Sequence, residues 1–208
     1  MKLSNKYHKI LSIYKRSEIT KKFLDEYATP EIEYLKDNEW VFTEKVDGTN
    51  IRIMWNGKDV NYAGRSDDTQ LPVPLIYKLD EMFKTFEKRQ IFKETFGEEE
   101  QDTVLYGEGF GNKIQKAGGL YIPDGVSFVL FDVKVGEFYL ERENVENIAD
   151  KFDIKVVPII GRGTLAEAIQ MTKKGFNSMW GKFTAEGIVA RPKVEMFTRK
   201  GERIITKV

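Results

Sequence analysis

The sequence predicts an α+β fold built on antiparallel sheet. Strand-type runs are short and separated by Gly- and Asn-containing turns. Only three segments carry helical spacing, and the strands follow one another in hairpin order without alternating with helices. A doubly wound parallel sheet would need that alternation. No internal repeat, low-complexity tract or Pro/Gly-rich linker divides the 208 residues, so they read as one domain.

The elements follow from local pattern. Trp40–Lys45 is an apolar run entering a turn at Asp47-Gly48, and Asn50–Trp55 continues beyond it. Asn56-Gly57 predicts a hairpin, because both residue types tolerate positive φ, and Val60–Ala63 is its return strand. Over residues 75–96, Leu75, Leu79, Met82, Phe83 and Phe86 recur at three- and four-residue spacing, which predicts an amphipathic helix. Strands are expected at Thr103–Gly107, Ser127–Val135 and Phe138–Leu140. A helix over Glu143–Phe152 would bury Val145, Ile148, Ala149 and Phe152. Thr164 caps a helix over 165–173, with Glu167 at the capping-box position. Strands near Gly187–Arg191 and Arg203–Val208 close the chain.

Composition excludes several classes. There is no cysteine, hence no disulfide, zinc–thiolate site, iron–sulfur cluster or thiol nucleophile. The single histidine, His8, is a poor basis for a Ser–His–Asp hydrolase or a multi-histidine metal site. The longest apolar stretches, 128–131 and 156–160, are too short to span a bilayer, and no apolar signal core opens the chain. The expected location is the cytoplasm, with no membrane partner. The 33 basic residues balance the 33 acidic ones, but not evenly along the chain. Residues 1–25 carry seven basic and two acidic side chains, and residues 187–208 carry six basic (Arg191, Lys193, Arg199, Lys200, Arg203, Lys207) and two acidic. Such segregation can give a neutral protein a basic face. The acidic run Glu98-Glu99-Glu100 with Asp102 reads as a solvated loop.

Five segments carry candidate chemistry. Lys45 in Glu44-Lys45-Val46-Asp47-Gly48-Thr49-Asn50 ends an apolar strand; a lysine there either reaches water or has a chemical task. Arg65 in Ala63-Gly64-Arg65-Ser66 is a phosphate or ribose donor, or a surface arginine. Glu108 lies among three glycines in Tyr106-Gly107-Glu108-Gly109-Phe110-Gly111, which allow close approach of a ligand or mark a strand exit. Neither a dinucleotide-binding βαβ unit nor a P-loop surrounds them. Phe131-Asp132 sits in a strand whose context buries the aspartate. Glu186 in Ala185-Glu186-Gly187-Ile188-Val189-Ala190-Arg191 suits a hard cation or a sugar hydroxyl, or a surface ion pair.

In this order, Lys45-x-Asp47-Gly48, Arg65, Gly107-Glu108, Phe131-Asp132 and Glu186-Gly187-Ile188-Val189 resemble the motifs of the covalent nucleotidyltransferase superfamily, which comprises DNA ligases, RNA ligases and messenger-RNA capping enzymes. Thr49-Asn50 after the glycine resembles the ATP-dependent RNA ligases of the phage type-two branch. The resemblance covers about residues 40–207 and implies a single adenylyltransferase domain of antiparallel sheets flanked by helices, of phage or archaeal origin. It implies that Lys45 attacks the α-phosphate of ATP and carries AMP as a phosphoramide, and that Glu44 reads the adenine amino group. Asn50 would orient the phosphates, and Arg65 would contact the ribose. Glu108 would bind the ribose hydroxyls or organise the RNA ends, and Phe131 would stack on adenine. Glu186, with Glu108, would coordinate Mg²⁺ or Mn²⁺, and Lys207 would contact the α-phosphate. The implied partners are ATP and RNA with 5′-phosphate and 3′-hydroxyl ends.

The family's last motif is usually Lys-x-Lys; here Val208 alone follows Lys207. The expected organisation is one domain over 1–208, with the first 40 or so residues packed on it, the last motif cut short and no OB domain. Two alternatives are a DNA ligase or capping-type enzyme of the same chemistry, and a non-catalytic nucleotide- or RNA-binding module of the same fold.

Overall fold

Apolar residues at alternate strand positions and at helical spacing settle into two separate cores. The computed structural model describes residues 5–98 and 102–208. Glu99 and Glu100 of the expected acidic run lie outside the described residues, while Glu98 pairs with Lys93 at 2.9 Å. In chain order the elements are β1 (Leu11–Ser12), β2 (Tyr14–Arg16), β3 (Phe23–Tyr27), α1 (Pro30–Leu35), β4 (Trp40–Glu44), β5 (Thr49–Trp55), β6 (Val60–Ala63), α2 (Val73–Phe83), α3 (Phe86–Phe96), β7 (Thr103–Gly111), α4 (Gly118–Tyr121), β8 (Val126–Val135), β9 (Phe138–Tyr139), α5 (Arg142–Phe152), β10 (Lys155–Val156), β11 (Ile159–Gly163), α6 (Leu165–Lys174), β12 (Ile188–Pro192) and β13 (Thr206–Lys207). This is an α+β fold, with sheets antiparallel except at β1–β13 and β8–β10.

The chain forms two compact units. The first comprises residues 5–7 and Asp47–Val157. Its sheet runs β10-β8-β7-β5-β6, with β9 added on β8. One face, carrying Ile51, Ile53, Trp55, Leu105, Phe128, Leu130 and Val133, packs with Leu75, Leu79 and Phe83 of α2, Phe92 of α3 and the expected stripe of α5. The second unit comprises His8–Val46 and Pro158–Val208. Its sheet runs β1-β13-β12-β4-β11, and β2–β3 form a separate hairpin. Trp40, Phe42, Ile188 and Ala190 face a core with Leu165 and Ala168 of α6 and Ile32 and Leu35 of α1.

Several local expectations change. The helix expected over 75–96 is two helices. Thr85 accepts a hydrogen bond from the Lys88 amide at 3.3 Å and starts α3 anew. The helical phase resets there, so Leu75, Leu79 and Phe83 are buried while Phe86 is exposed. The β5–β6 hairpin forms, but through four residues, 56–59. Gly57 alone takes positive φ, and the Asn56 side chain accepts the amides of Lys58 (3.0 Å) and Asp59 (2.7 Å). The final strand is shorter than expected, since only Thr206–Lys207 pair fully. The capping box on α6 forms as expected: Glu167 accepts from the Thr164 amide at 2.7 Å and donates its own amide to the Thr164 hydroxyl at 3.3 Å.

Candidate functional site

The expected site residues fall evenly between the two units. Asn50, Arg65, Glu108 and Phe131 belong to the first; Glu44, Lys45, Glu186 and Lys207 belong to the second.

In the first unit, strand alternation turns Asn50 and Arg52 away from the core that takes Ile51 and Ile53. Asn50 lies directly opposite Glu108, and Arg52 opposite Tyr106, which itself faces Asp132 on β8. The Asn50 Oδ1 is buried without a hydrogen-bond partner among the described residues. A buried amide oxygen left unpaired costs about 1–3 kcal/mol.

Phe131 occupies a β-bulge. Tyr106 pairs with Asp132 and Gly107 with Leu130, which leaves Phe131 as the extra residue. The bulge switches the face of β8. Phe128 and Leu130 enter the core before it, Val133 enters after it, and Phe131 is re-aimed with Asp132 to the other side. Asp132 is fully buried, as its sequence context requires, and accepts a short hydrogen bond from the Tyr7 hydroxyl. Tyr7 meets the Phe131 ring edge-on at 5.1 Å between centroids. Burial pushes the Tyr106 phenol up. Its hydroxyl donates to the Asn5 carbonyl at 3.1 Å.

The glycines around Glu108 serve close packing. A Cβ on Gly107 would lie 2.2 Å from the Phe128 ring, and one on Gly109 would lie 2.6 Å from Leu75. Gly48 is required in the same way, since its Cβ would stand 2.3 Å from the Gly109 carbonyl oxygen. These glycines let sheet, turn and α2 pack closely.

Arg65 is exposed and forms no ion pair among the described residues. Its loop is held by Arg52, a residue the sequence reading did not single out. Arg52 is 2 % exposed, donates from Nε to the Gly64 carbonyl at 2.8 Å, and donates to Asp67 at 2.6 Å. The Arg52 guanidinium, with Lys6 adding to it, holds the Asp67 carboxyl below the usual range. A buried arginine opposite an invisible loop partner leaves no local signal; the only clue is a charged residue between Ile51 and Ile53.

In the second unit, Lys45 follows β4 directly. Its Nζ lies 2.5 and 2.6 Å from the two oxygens of Glu186, and its amide donates to the Gly187 carbonyl at 2.9 Å. Both side chains are about one-third exposed, at 31 % and 36 %. Lys207 pairs with Val189, which alternates away from the core residues Ile188 and Ala190. Arg191 and Arg162 flank Val41 on the same side. Glu44 alternates to the opposite, core side with Trp40 and Phe42. It is 1 % exposed, and both its oxygens already accept hydrogen bonds, from Ser178 Oγ at 2.5 Å and from the Met179 amide at 2.8 Å. Each oxygen keeps a second lone pair.

Among the described residues no three His, Asp or Glu side chains cluster as a metal site. Glu186 nevertheless suits a divalent ion that keeps most of its waters, because its carboxylate is accessible and its partner, Lys45, sits on a flexible stem. Among the described residues no helix is long and apolar enough to cross a membrane. The basic C-terminal segment is not uniformly available: Arg203 is buried and paired bidentately with Glu195 at 2.5 and 2.9 Å, whereas Arg199 and Lys200 are exposed.

The family model described as RNA ligase matches residues 38–208. The fold is similar to that of solved Naegleria gruberi RNA ligase. A mutant of that protein with ATP and Mn aligns with a TM-score of 0.64 at 21 % identity, covering 86 % of this chain and 52 % of that one. The form with PPi gives 0.63 at 21 %, covering 86 % and 51 %. A further mutant with ATP and Mn gives 0.65 at 19 %, covering 99 % and 59 %. The chain thus spans little more than half the length of the solved proteins it matches.

Proposed function

Because the chain belongs to the RNA ligase family, we propose that it is an ATP-dependent RNA ligase, of the phage type-two branch, that joins 3′-hydroxyl and 5′-phosphate ends through a covalent lysyl-AMP. The observation that carries the reading is the half-buried Lys45 amine held by the Glu186 carboxylate at the ends of neighbouring strands. A lysine is nucleophilic only as the free amine, so the ion pair with Glu186 is a resting contact that positions Lys45 and has to open before attack.

Three transfers follow. Lys45 Nζ attacks the α-phosphorus of ATP, forming the P–N bond as the bond to pyrophosphate breaks. The RNA 5′-phosphate then takes AMP from Lys45, giving a 5′–5′ pyrophosphate end. The RNA 3′-hydroxyl attacks that end and AMP leaves. Catalysis rests on positioning and on cations at the phosphates. Lys207 is the cation for the α-phosphate, and Arg65 is the donor to the ribose. Phe131, aimed by its bulge, stacks on adenine. The Asn50 amide turns to donate to phosphate, and Glu108 beside it accepts from ribose hydroxyls. Mg²⁺ or Mn²⁺ would neutralise phosphate charge, and Glu186 would hold it, with Glu108 assigned the same task by the resemblance. The residues 1–208 act in this reading as one adenylyltransferase domain.

The test is incubation with labelled ATP and Mg²⁺ or Mn²⁺, followed by a denaturing gel. The chain should carry the label, and Lys45→Ala should not. Lys45→Arg should fail too, since guanidinium stays protonated. Label from GTP but not ATP would indicate a capping-type enzyme. No label from either would indicate a binding module.

A further inference from the structure

We propose that Glu44 is a positioning residue: its buried carboxylate latches the hairpin 177–184 and thereby fixes Glu186 against Lys45. The hairpin closes by the Asn177–Thr184 bridge, the Ser178 amide on the Phe183 carbonyl at 2.8 Å and the Ala185 amide on the Phe176 carbonyl at 2.9 Å. Glu186 is the next residue. Met179 at the hairpin tip is 67 % accessible, while Trp180 and Phe183 are partly buried. The link from the hairpin to Glu44 is polar. Glu44 accepts from the Ser178 hydroxyl and the Met179 amide, and the same hydroxyl accepts from the Trp180 amide at 3.0 Å.

Burying a carboxylate is costly unless it is fully hydrogen-bonded, and packing alone would be served better by an apolar residue. Both oxygens of Glu44 meet donors from the hairpin, which indicates a fixed geometry as the return for that cost. The neighbouring residue completes the clasp. The Lys45 amide holds the Gly187 carbonyl and the Lys45 amine holds Glu186. Two consecutive residues of β4 and its end thus grip both ends of the segment 178–187, one from each face of the sheet. A latch and an adenine reader differ in readout, because the first acts through the hairpin and the second on the base.

The kinetic part of this inference rests on the proposed lysyl-AMP chemistry; the structural part does not. The experiment compares the 208-residue chain with Glu44→Gln, Ser178→Ala and the double variant. It reads amide hydrogen exchange at Met179 and Trp180, the rate of AMP adduct formation at saturating ATP, the ATP concentration for half-saturation, and the preference for ATP over GTP. Exchange should quicken about tenfold or more at Met179 in Glu44→Gln and at Trp180 in Ser178→Ala. The adduct rate should fall about tenfold in each, with half-saturation and base preference unchanged. The double variant should be no slower than the slower single one, because both changes open the same latch. Wild-type exchange and rate in Ser178→Ala would overturn the inference. So would a change of base preference in Glu44→Gln that Ser178→Ala lacks. If the unaltered chain forms no adduct, the proposed chemistry fails, and exchange at Met179 and Trp180 alone decides the latch.

Discussion

Arg52→Met separates the support of the Arg65 loop from its chemistry. Arg52 holds that loop by two bonds, to the Gly64 carbonyl and to Asp67. Asp67 lies in solvent, which screens the ion pair. Gly64 is buried, packed so closely on Thr69 that a Cβ would approach it to 2.5 Å. Without Arg52 its carbonyl loses its donor and cannot easily turn to water. An orphaned buried carbonyl costs about 1–3 kcal/mol. Methionine replaces most of the apolar stem, so little is added for packing. A loss of about 2 kcal/mol in a chain of this length lowers the melting temperature by about 4–8 °C. The loop is stitched further along by Ser66–Thr69 bonds at 2.9 and 3.2 Å, so it should loosen at Gly64–Arg65 without unravelling. Calorimetry gives the stability change, and AMP adduct formation against ATP concentration gives the functional one. Arg52→Met should raise the ATP requirement as Arg65→Ala does, and the double variant should add little. A melting temperature within about 1 °C of the unaltered chain would refute the energetic reasoning. An unchanged ATP requirement in Arg52→Met, where Arg65→Ala shifts it, would refute the positional reasoning.

Phe131→Ala should weaken ATP use by about 1–3 kcal/mol, the range for base–aromatic stacking, while Phe131→Tyr stays close to the parent; equal behaviour of all three in an ATP titration would make Phe131 a packing residue only. Asp67 has its carboxyl held below the unfolded value of about 3.9, so its pairing with Arg52 contributes above that value and is lost as pH falls through the lower, folded value. Melting temperatures of Asp67→Asn should therefore lie below those of the parent at neutral pH and converge with them below about pH 4. RNA binding should weaken with salt, and Arg199→Glu with Lys200→Glu should flatten that dependence in a filter-binding assay. Arg203→Glu is the control for disruption: it replaces a buried arginine with a like charge facing Glu195 and should lower the melting temperature.

What was legible in the sequence was what a residue's own type makes expensive. A lysine at the end of an apolar strand, an aspartate between Phe131 and Val133, and a Thr–Glu pair three apart all demand an explanation where they stand, and each has one. The α+β class followed for the same reason, because period-two runs and turns are local. The partners were not legible. Asp132 is answered by Tyr7 at a separation of 125 residues, and Glu44 by Ser178 and Met179 at 134 and 135. Nothing local in the sequence specifies which hydroxyl arrives at such a distance. The helix break at Lys84-Thr85 sits between these cases: Thr85 is a capping residue by type, but the apolar spacing through Phe86 outweighs it until the burial of Phe92 resets the phase.

The bulge at Phe131 shows that a long-range feature can still leave a local mark. Phe128 and Leu130 occupy even positions of β8, and Val133 and Val135 occupy odd ones. A regular strand cannot turn both sets to one core, since its side chains alternate with a period of two. Either the strand twists apart between Leu130 and Val133, or one extra residue is inserted there. The structure takes the second course, with Phe131 as the insertion. The change of parity was therefore sufficient to locate an irregularity to within two residues. The aromatic that resemblance assigns to adenine lies inside that interval. Deleting Phe131 outright would remove the parity change and restore a regular strand pair. It should leave both the core register and the pairing of Asp132 with Tyr106 intact while removing the aromatic, so the ATP requirement should change more than the melting temperature does.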